Sequence, residues 1–167
     1  MSTTTSSEES TKEKLGKAIG RIASGVYIVT TYGDGGKDGM LTTWLVQSAF
    51  DPPMLSLAVK KERPILAHLQ KGAAFSVNVL SKKNMDVFKN FAKPFTEGLD
   101  RFEGLSIDSG IKSGPVFKDC VAFMSCQVHD KVEAGDHYVV VAEITSGGLL
   151  ASEEEPMVHF RKNGFQY

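Results

Sequence analysis

Thr42, Thr43, Gln47 and Ser48 stand inside an otherwise apolar run, Met40 to Phe50, that closes on Asp51-Pro52-Pro53. Their hydroxyls and amide make neutral hydrogen bonds, each contributing on the order of 0.5–1.5 kcal/mol net, and a shelf of such groups suits the edge of a flat polar ring. The polar positions do not keep one period-2 parity, and the prolines imply a bend that frees backbone N–H and C=O groups. The solvated face of an edge strand would present the same residue types. A second strand-like run, Met54 to Val59, ends in Lys60-Lys61-Glu62-Arg63-Pro64. Proline suits the first turn of a helix, whose unpaired N–H groups favour a phosphate. The dipole adds about 0.3–1 kcal/mol, and Lys60, Lys61 or Arg63 the larger part through charge-assisted bonds. Solvated charges at a strand end read equally simply, and Glu62 is expected to point away.

A neutral shelf beside an anion site matches the two ends of flavin mononucleotide (FMN). His137, in Gly135-Asp136-His137-Tyr138, sits at a turn entering a strand. There it could donate to a flavin or nicotinamide carbonyl, or lie at the surface of a hairpin base. His68, His129 and His159 show no ligand spacing, and no HExxH or Cys/His set occurs, so no metal is expected. Cys120 and Cys126 fall on one face of a strand-like segment and read as core residues. A GxSxG elbow is absent, and Glu153-Glu154-Glu155 reads as a solvated loop. Hydride transfer between two cofactors needs almost no protein acid or base, and positioning alone can lower a barrier by about 7–11 kcal/mol.

The elements that must position these groups follow from patterning. The chain has 167 residues, 41% of them hydrophobic, enough for one domain with a real core. Nineteen basic and 20 acidic side chains leave a net charge of -1, which argues against a general nucleic-acid binder. No apolar run approaches the ~20 residues of a membrane helix, and the N-terminus lacks the pattern of a secretory signal. A cytoplasmic protein is expected. Residues 1–10 read as a disordered leader, rich in Ser, Thr and Glu, and residues 11–167 as the folded domain. Ser10 and Glu13 form a capping box for a helix that presents Leu15, Ala18, Ile19, Ile22 and Ala23 up to Gly25.

Val26 to Thr31 is a strand, and Gly33 to Gly39 a glycine-rich hairpin connection without GxGxxG spacing. Met54–Val59, Ala74–Leu80, Cys120–His129, Tyr138–Ile144 and Met157–Lys162 are further strands. Short helices are expected over Pro64–Lys71 and after Ser81, the second with Met85, Phe88, Phe91 and Ala92 on one face. Lys93 to Pro115 reads as a long loop. Six or more strands with few helices favour a closed or nearly closed antiparallel barrel over a βαβ sheet.

Several segments, in order, resemble a known family. These are Gly20 to Thr31, Thr42 to Ser48, Phe50-Asp51-Pro52-Pro53, Phe75 to Leu80, Asp100-Arg101-Phe102 and Gly135-Asp136-His137. Together they resemble the flavin reductase-like, FMN-binding split-barrel proteins, most closely the reductase modules of flavodiiron proteins and the flavin domain of high-molecular-weight rubredoxins. The resemblance implies a mainly β, six-stranded antiparallel split barrel of Greek-key type with a few peripheral helices, dimerising as a homodimer. By position it places Thr42, Thr43, Gln47 and Ser48 on the isoalloxazine and ribityl groups. Trp44 falls in the same run, where it could stack, gate access or pack between subunits. Lys60, Lys61 and Arg63 would approach the phosphate, and His137 the ring and nicotinamide site. The activity implied is that of an NAD(P)H-dependent flavin reductase. It would use FMN, with FAD or riboflavin as alternatives, pass hydride from nicotinamide to flavin N5, and hand electrons on to an acceptor such as free flavin or a partner protein. A flavoredoxin-like FMN carrier with little NAD(P)H oxidation is the alternative.

Overall fold

β-Branched and aromatic residues dominate Tyr27–Gly33 (β1), and their alternation sends Ile28 to one side of a sheet and Val29 to the other. The computed structural model describes residues 4–167, with side chains from Thr11 onward. Six more strands join β1 in one antiparallel sheet: Gly36–Thr42 (β2), Leu45–Phe50 (β3), Pro53–Lys60 (β4), Ala74–Val79 (β5), Ala122–Ala134 (β6) and His137–Leu149 (β7). The order is β2-β1-β5-β6-β7-β4-β3. This is the mainly β split barrel expected, with seven ladder strands rather than six. The extra strand arises because the run from Met40 to Phe50 is two strands, broken at Thr43-Trp44. β2 and β3 are the edges, so consecutive segments end on opposite margins of the sheet.

Register follows the hydrophobic pattern. Val29 opposes Met40 and Val77, Phe75 opposes Cys126, and Leu57 opposes Val140 and Leu45. One face buries Val29, Leu55, Leu57, Val59, Phe75, Val77 and Val140 as the main core. The other buries Val26, Ile28, Leu80, Phe91, Phe102 and Phe117 as a second cluster. In that cluster Phe102 stacks on Phe117 with centroids 5.9 Å apart, while Phe91 meets Phe102 edge-on at 5.1 Å. Gly39 permits this approach, since a Cβ there would lie 2.7 Å from the Phe91 ring.

Helix α2 (Met85–Ala92) buries Val87 and Phe91. Met85, expected inward, is exposed. Asn84, not Ser81, occupies the N-cap position, and its Oδ1 accepts from Ser81 N at 2.9 Å. Asn78 is a structural amide: Nδ2 donates to the Ile28 carbonyl at 3.1 Å and Oδ1 accepts from Phe117 N at 2.9 Å. Cys120 and Cys126 are buried and unbridged, and burial pushes their thiols up to about 11 and about 12. The long loop after α2 holds a short ribbon, Ile107–Asp108 with Val116–Phe117.

Residues 25–157, which carry all of these features, form one compact unit. Residues up to 24 and 158–167 form another. There the backbone is helical over Thr4–Ile19 (α1), a span that overlaps the segment read as a leader. No glycine or proline interrupts the chain before Gly16, and Met1 to Thr3 lie outside the described residues. The helix stops at Ile19 rather than running to Gly25, and Ile22 is exposed. The C-terminal segment is the cause, because Arg161 N donates to the Gly20 carbonyl at 3.2 Å and Gly164 N to that of Gly16 at 2.7 Å. The final strand shrinks to Val158–His159.

Candidate functional site

Where β2 ends, Thr42 is buried and its Oγ1 accepts a long hydrogen bond from Trp44 N at 3.3 Å. This small turn lifts Thr43 and Trp44 out of the ladder before β3 begins. The Trp44 carbonyl re-enters by accepting from Ala58 N at 3.0 Å. Along β3, Gln47 opposes Leu55 and Ala49 opposes Met54. Ser48 is therefore the extra residue of a β-bulge, which is why the polar positions broke period-2 parity. Gln47 and Ser48 are exposed, and Gln47 Nε2 donates to the Ala49 carbonyl at 3.2 Å.

His137 faces the same turn from β7. It is buried, and its ring lies against Trp44 with centroids 4.8 Å apart and a 37° tilt. Nδ1 is 2.7 Å from Asp136 Oδ1, and that hydrogen bond holds the Asp136 carboxyl below its ordinary range. His137 stands at the base of the β6–β7 hairpin, opposite Ala134, with its side chain turned inward. Thr42, Thr43, Trp44 and His137 thus share one corner, with Gln47 and Ser48 further along the edge strand.

The side chains of the basic turn take different partners. Lys60 is 3.4 Å from Glu62, so Glu62 engages a lysine rather than turning away. Lys61 is held by Glu133, whose hydrogen bond raises the ammonium pKa, and lies 5.6 Å from the Tyr138 ring centroid. Arg63 lines a cavity. The helix expected over Pro64–Lys71 is a 3-10 turn of five residues, Pro64–His68, too short for a dipole of any weight.

The cavity beside Arg63 is small, ≈ 20 Å³, about the size of one water-sized group. Its walls include Asp38, Met40, Arg63 and Arg101. Arg101 Nη2 is buried and is the one buried side-chain nitrogen or oxygen without a hydrogen-bond partner among the described residues. Burial, then the neighbouring Arg63 charge, push the Arg101 guanidinium down, while Asp38 opposes them. Two guanidiniums against one carboxylate leave a positive excess, and Asp38 also faces His68 at 3.7 Å. An anionic oxygen in the cavity would satisfy Nη2 and relieve the repulsion. Sequence reasoning missed Arg101 as a site residue, although Asp100-Arg101-Phe102 was among the resembling segments.

Strand β2 connects the two places. Asp38, Gly39 and Met40 line the arginine cavity, and Thr42 begins the polar turn. No group of three or more metal-ligating side chains occurs among the described residues. No helix there is long and apolar enough to cross a membrane.

Comparison with known proteins bears on this geometry. The family profile described as "Flavin reductase like domain" matches residues 19–166. Diflavin flavoprotein A 1 of Synechocystis sp. is 37% identical over 154 residues, 92% of this chain, but the chain spans only 27% of that relative's length. Among solved structures, the Streptomyces globisporus NADH:FAD oxidoreductase SgcE6 superposes with a TM-score of 0.78 at 26% identity, covering 87% of this chain and 86% of that one. The same enzyme in complex with NAD and FAD fragments gives 0.77, over 89% and 86%. The flavin reductase PheA2 gives 0.73 at 28% identity, over 86% and 90%.

Proposed function

The chain belongs to the flavin reductase-like domain family, and on that premise we propose that it is an NAD(P)H-dependent flavin reductase built around FMN or the FMN half of a larger flavin. Its oxidoreductase class is that of its structural neighbours. The observation that carries the reading is the pairing, on one strand, of an off-ladder polar turn backed by Trp44 and His137 with a cavity holding an unsatisfied guanidinium nitrogen.

Thr42 and Thr43, with the backbone groups of their turn, meet the polar edge of the ring, and Gln47 and Ser48 extend that shelf. Arg63 and Arg101 take the phosphate, while Lys60 and Lys61 guide its approach from the rim. When bound, the flavin supplies the electron-accepting chemistry. The protein positions the rings and excludes water. Trp44 sets the width of the ring slot. His137, oriented by Asp136, supports Trp44 and presents an imidazole near the nicotinamide carboxamide.

The family reading also brings a homodimer. Val46 and Phe50 are 63% and 91% exposed on edge strand β3, and a second copy covering them would enclose Gln47 and Ser48. Two buried, unbridged thiols fit the cytoplasm expected from composition.

The test is anaerobic stopped-flow of protein reconstituted with FMN and mixed with NADH or NADPH. Rapid loss of flavin absorbance is expected with at least one nucleotide. A holoprotein that stays oxidised with both overturns the reductase and leaves the flavoredoxin-like carrier. Absence of a bound flavin spectrum overturns both.

A further inference from the structure

Arg101 Nη2 has no hydrogen-bond partner, so the place of the guanidinium in the cavity depends on how its main chain is held. The chain leading to it offers little support. Residues 93–100 are all exposed. Among the described residues the hydrogen bonds of 94–99 stay within that stretch: Thr96 Oγ1 donates to the Pro94 carbonyl at 3.5 Å, and Leu99 N to that of Thr96 at 3.2 Å. Order begins at Asp100. Its carboxylate accepts from Phe102 N at 2.9 Å, and Leu105 N donates to the Phe102 carbonyl at 3.1 Å, which folds 100–105 into a tight turn.

A side chain from outside the turn grips it. Asn90, half-buried in the last turn of α2, donates from Nδ2 to the Arg101 carbonyl at 3.2 Å and to the Glu103 carbonyl at 3.3 Å. An amide nitrogen carries two hydrogens, so both carbonyls are served at once and the peptide units on either side of Phe102 are fixed. The Phe102 ring anchors the turn from within, edge-on to Phe91, which follows Asn90 in the helix. Asparagine is a poor helix former, so helix propensity does not explain it at this position. The helix itself is seated by Val87 and Phe91, and Asn90 passes that rigidity to the main chain of Arg101.

Resting on the assignment of Arg63 and Arg101 to the flavin phosphate, we propose that Asn90 is a positioning residue, which sets Arg101 in the cavity and through it the preference for phosphorylated flavin over riboflavin. Asn90 stands behind the cavity wall rather than in it. A guanidinium fork gains its strength with an anion from alignment, and alignment is supplied by the groups that fix the residue from behind. Without the Asn90 amide the turn keeps its internal bonds and Phe102 its packing. The Arg101 main chain then shares the freedom of the exposed stretch before it. The polar turn that meets the ring is fixed by the bonds of Trp44 N and Ala58 N, not by this loop, and does not respond.

The experiment titrates the apoprotein with FMN and riboflavin by flavin fluorescence, for the wild type, Asn90→Ala, Asn90→Gln, Arg101→Ala and the double variant Asn90→Ala with Arg101→Ala. Asn90→Ala is expected to raise the FMN dissociation constant about fivefold or more and that of riboflavin by less than about twofold. In the Arg101→Ala background the same change should add less than about twofold for FMN, because its effect runs through the guanidinium. Asn90→Gln keeps both N–H donors on a longer arm and should bind FMN more tightly than Asn90→Ala. Equal losses for FMN and riboflavin, or a loss that persists in full without Arg101, overturn the positioning role and leave the phosphate reading intact. A glutamine variant no better than the alanine one overturns it too, since the donor would then not be what acts. Arg101→Ala weakening both ligands alike overturns the phosphate reading and the proposal with it.

Discussion

The polar turn at Thr42–Trp44 and the arginine cavity share strand β2 but are built in opposite ways. The turn is made by backbone. A short-range hydrogen bond from Trp44 N, a bulge at Ser48 and the return of the Trp44 carbonyl to the ladder fix where the hydroxyls point. The cavity is made by side chains that converge from β2, the turn after β4 and the loop after α2. Burial and the Arg63 charge push the Arg101 guanidinium down, and Asp38 opposes them. A site of the first kind tolerates side-chain replacement, since much of what it offers is main chain. A site of the second kind depends on individual residues and responds to any change in the local charge balance.

The largest test of that contrast removes both arginines. Arg63→Ala with Arg101→Ala forfeits two charge-assisted bonds, and at about 1.5 kcal/mol each the FMN dissociation constant should rise roughly 100-fold. Riboflavin, which lacks the phosphate, should move by less than about threefold. Equal losses for both ligands in a fluorescence titration would show that the cavity does not hold the phosphate.

Gly39 tests the aromatic wall the cavity leans on. Gly39→Ala forces a Cβ to 2.7 Å from Phe91 and 3.2 Å from the Val29 carbonyl. Overpacking of this kind costs about 1–3 kcal/mol, and thermal unfolding should shift down by roughly 2–4 °C per kcal/mol. On the backbone-built side, Trp44→Ala loses an aromatic contact of about 0.5–1.5 kcal/mol. We expect kcat for nicotinamide oxidation to fall roughly 2- to 10-fold, with the FMN dissociation constant within about twofold. A large loss of FMN affinity would mean that Trp44 holds the flavin itself.

The thiols report whether the two regions open together, because Cys126 lies in the main core and Cys120 in the aromatic cluster. Both are raised in the folded state from 9.0, to about 12 and about 11. A raised folded value stabilises fully below the unfolded value and is lost as pH rises through the folded one. The thiols should therefore leave the melting temperature unchanged from pH 7 to 9 and lower it progressively above that. Iodoacetamide at pH 8 should label neither cysteine in the native protein; faster labelling of Cys120 would show the aromatic wall opening alone. The smallest effect belongs to Lys60→Ala and Lys61→Ala. Each lysine is already paired with a glutamate near the surface, so FMN affinity should change by no more than about twofold.

The barrel was legible because its strands alternate. Met54 to Val59 buries every second residue as written, and Phe75 to Val79 and the β6–β7 hairpin fall where their patterns put them. The polar run was legible as hydroxyls and an amide out of strand parity, but its internal break was not: nothing in Thr42-Thr43-Trp44 carries the glycine or proline that marks a turn. Lys60, Lys61 and Arg63 are neighbours in sequence, but the fold pairs Lys60 with Glu62 and Lys61 with Glu133 and sets Arg63 on the arginine cavity. Long charged side chains are sorted by tertiary partners, and Arg101 lies in a loop with no periodicity to advertise it.

The bulge at Ser48 has a consequence outside binding. Strand β3 is a sheet margin with large apolar side chains exposed, the kind of segment that templates chain-to-chain strand addition and aggregation. An inserted residue in the middle of six kinks the row of unpaired amides, so no straight foreign strand can extend along it. Deleting Ser48 would straighten the margin and trade solubility for a regular ladder, turning a surface shaped for selective contact into one that accepts any extended chain.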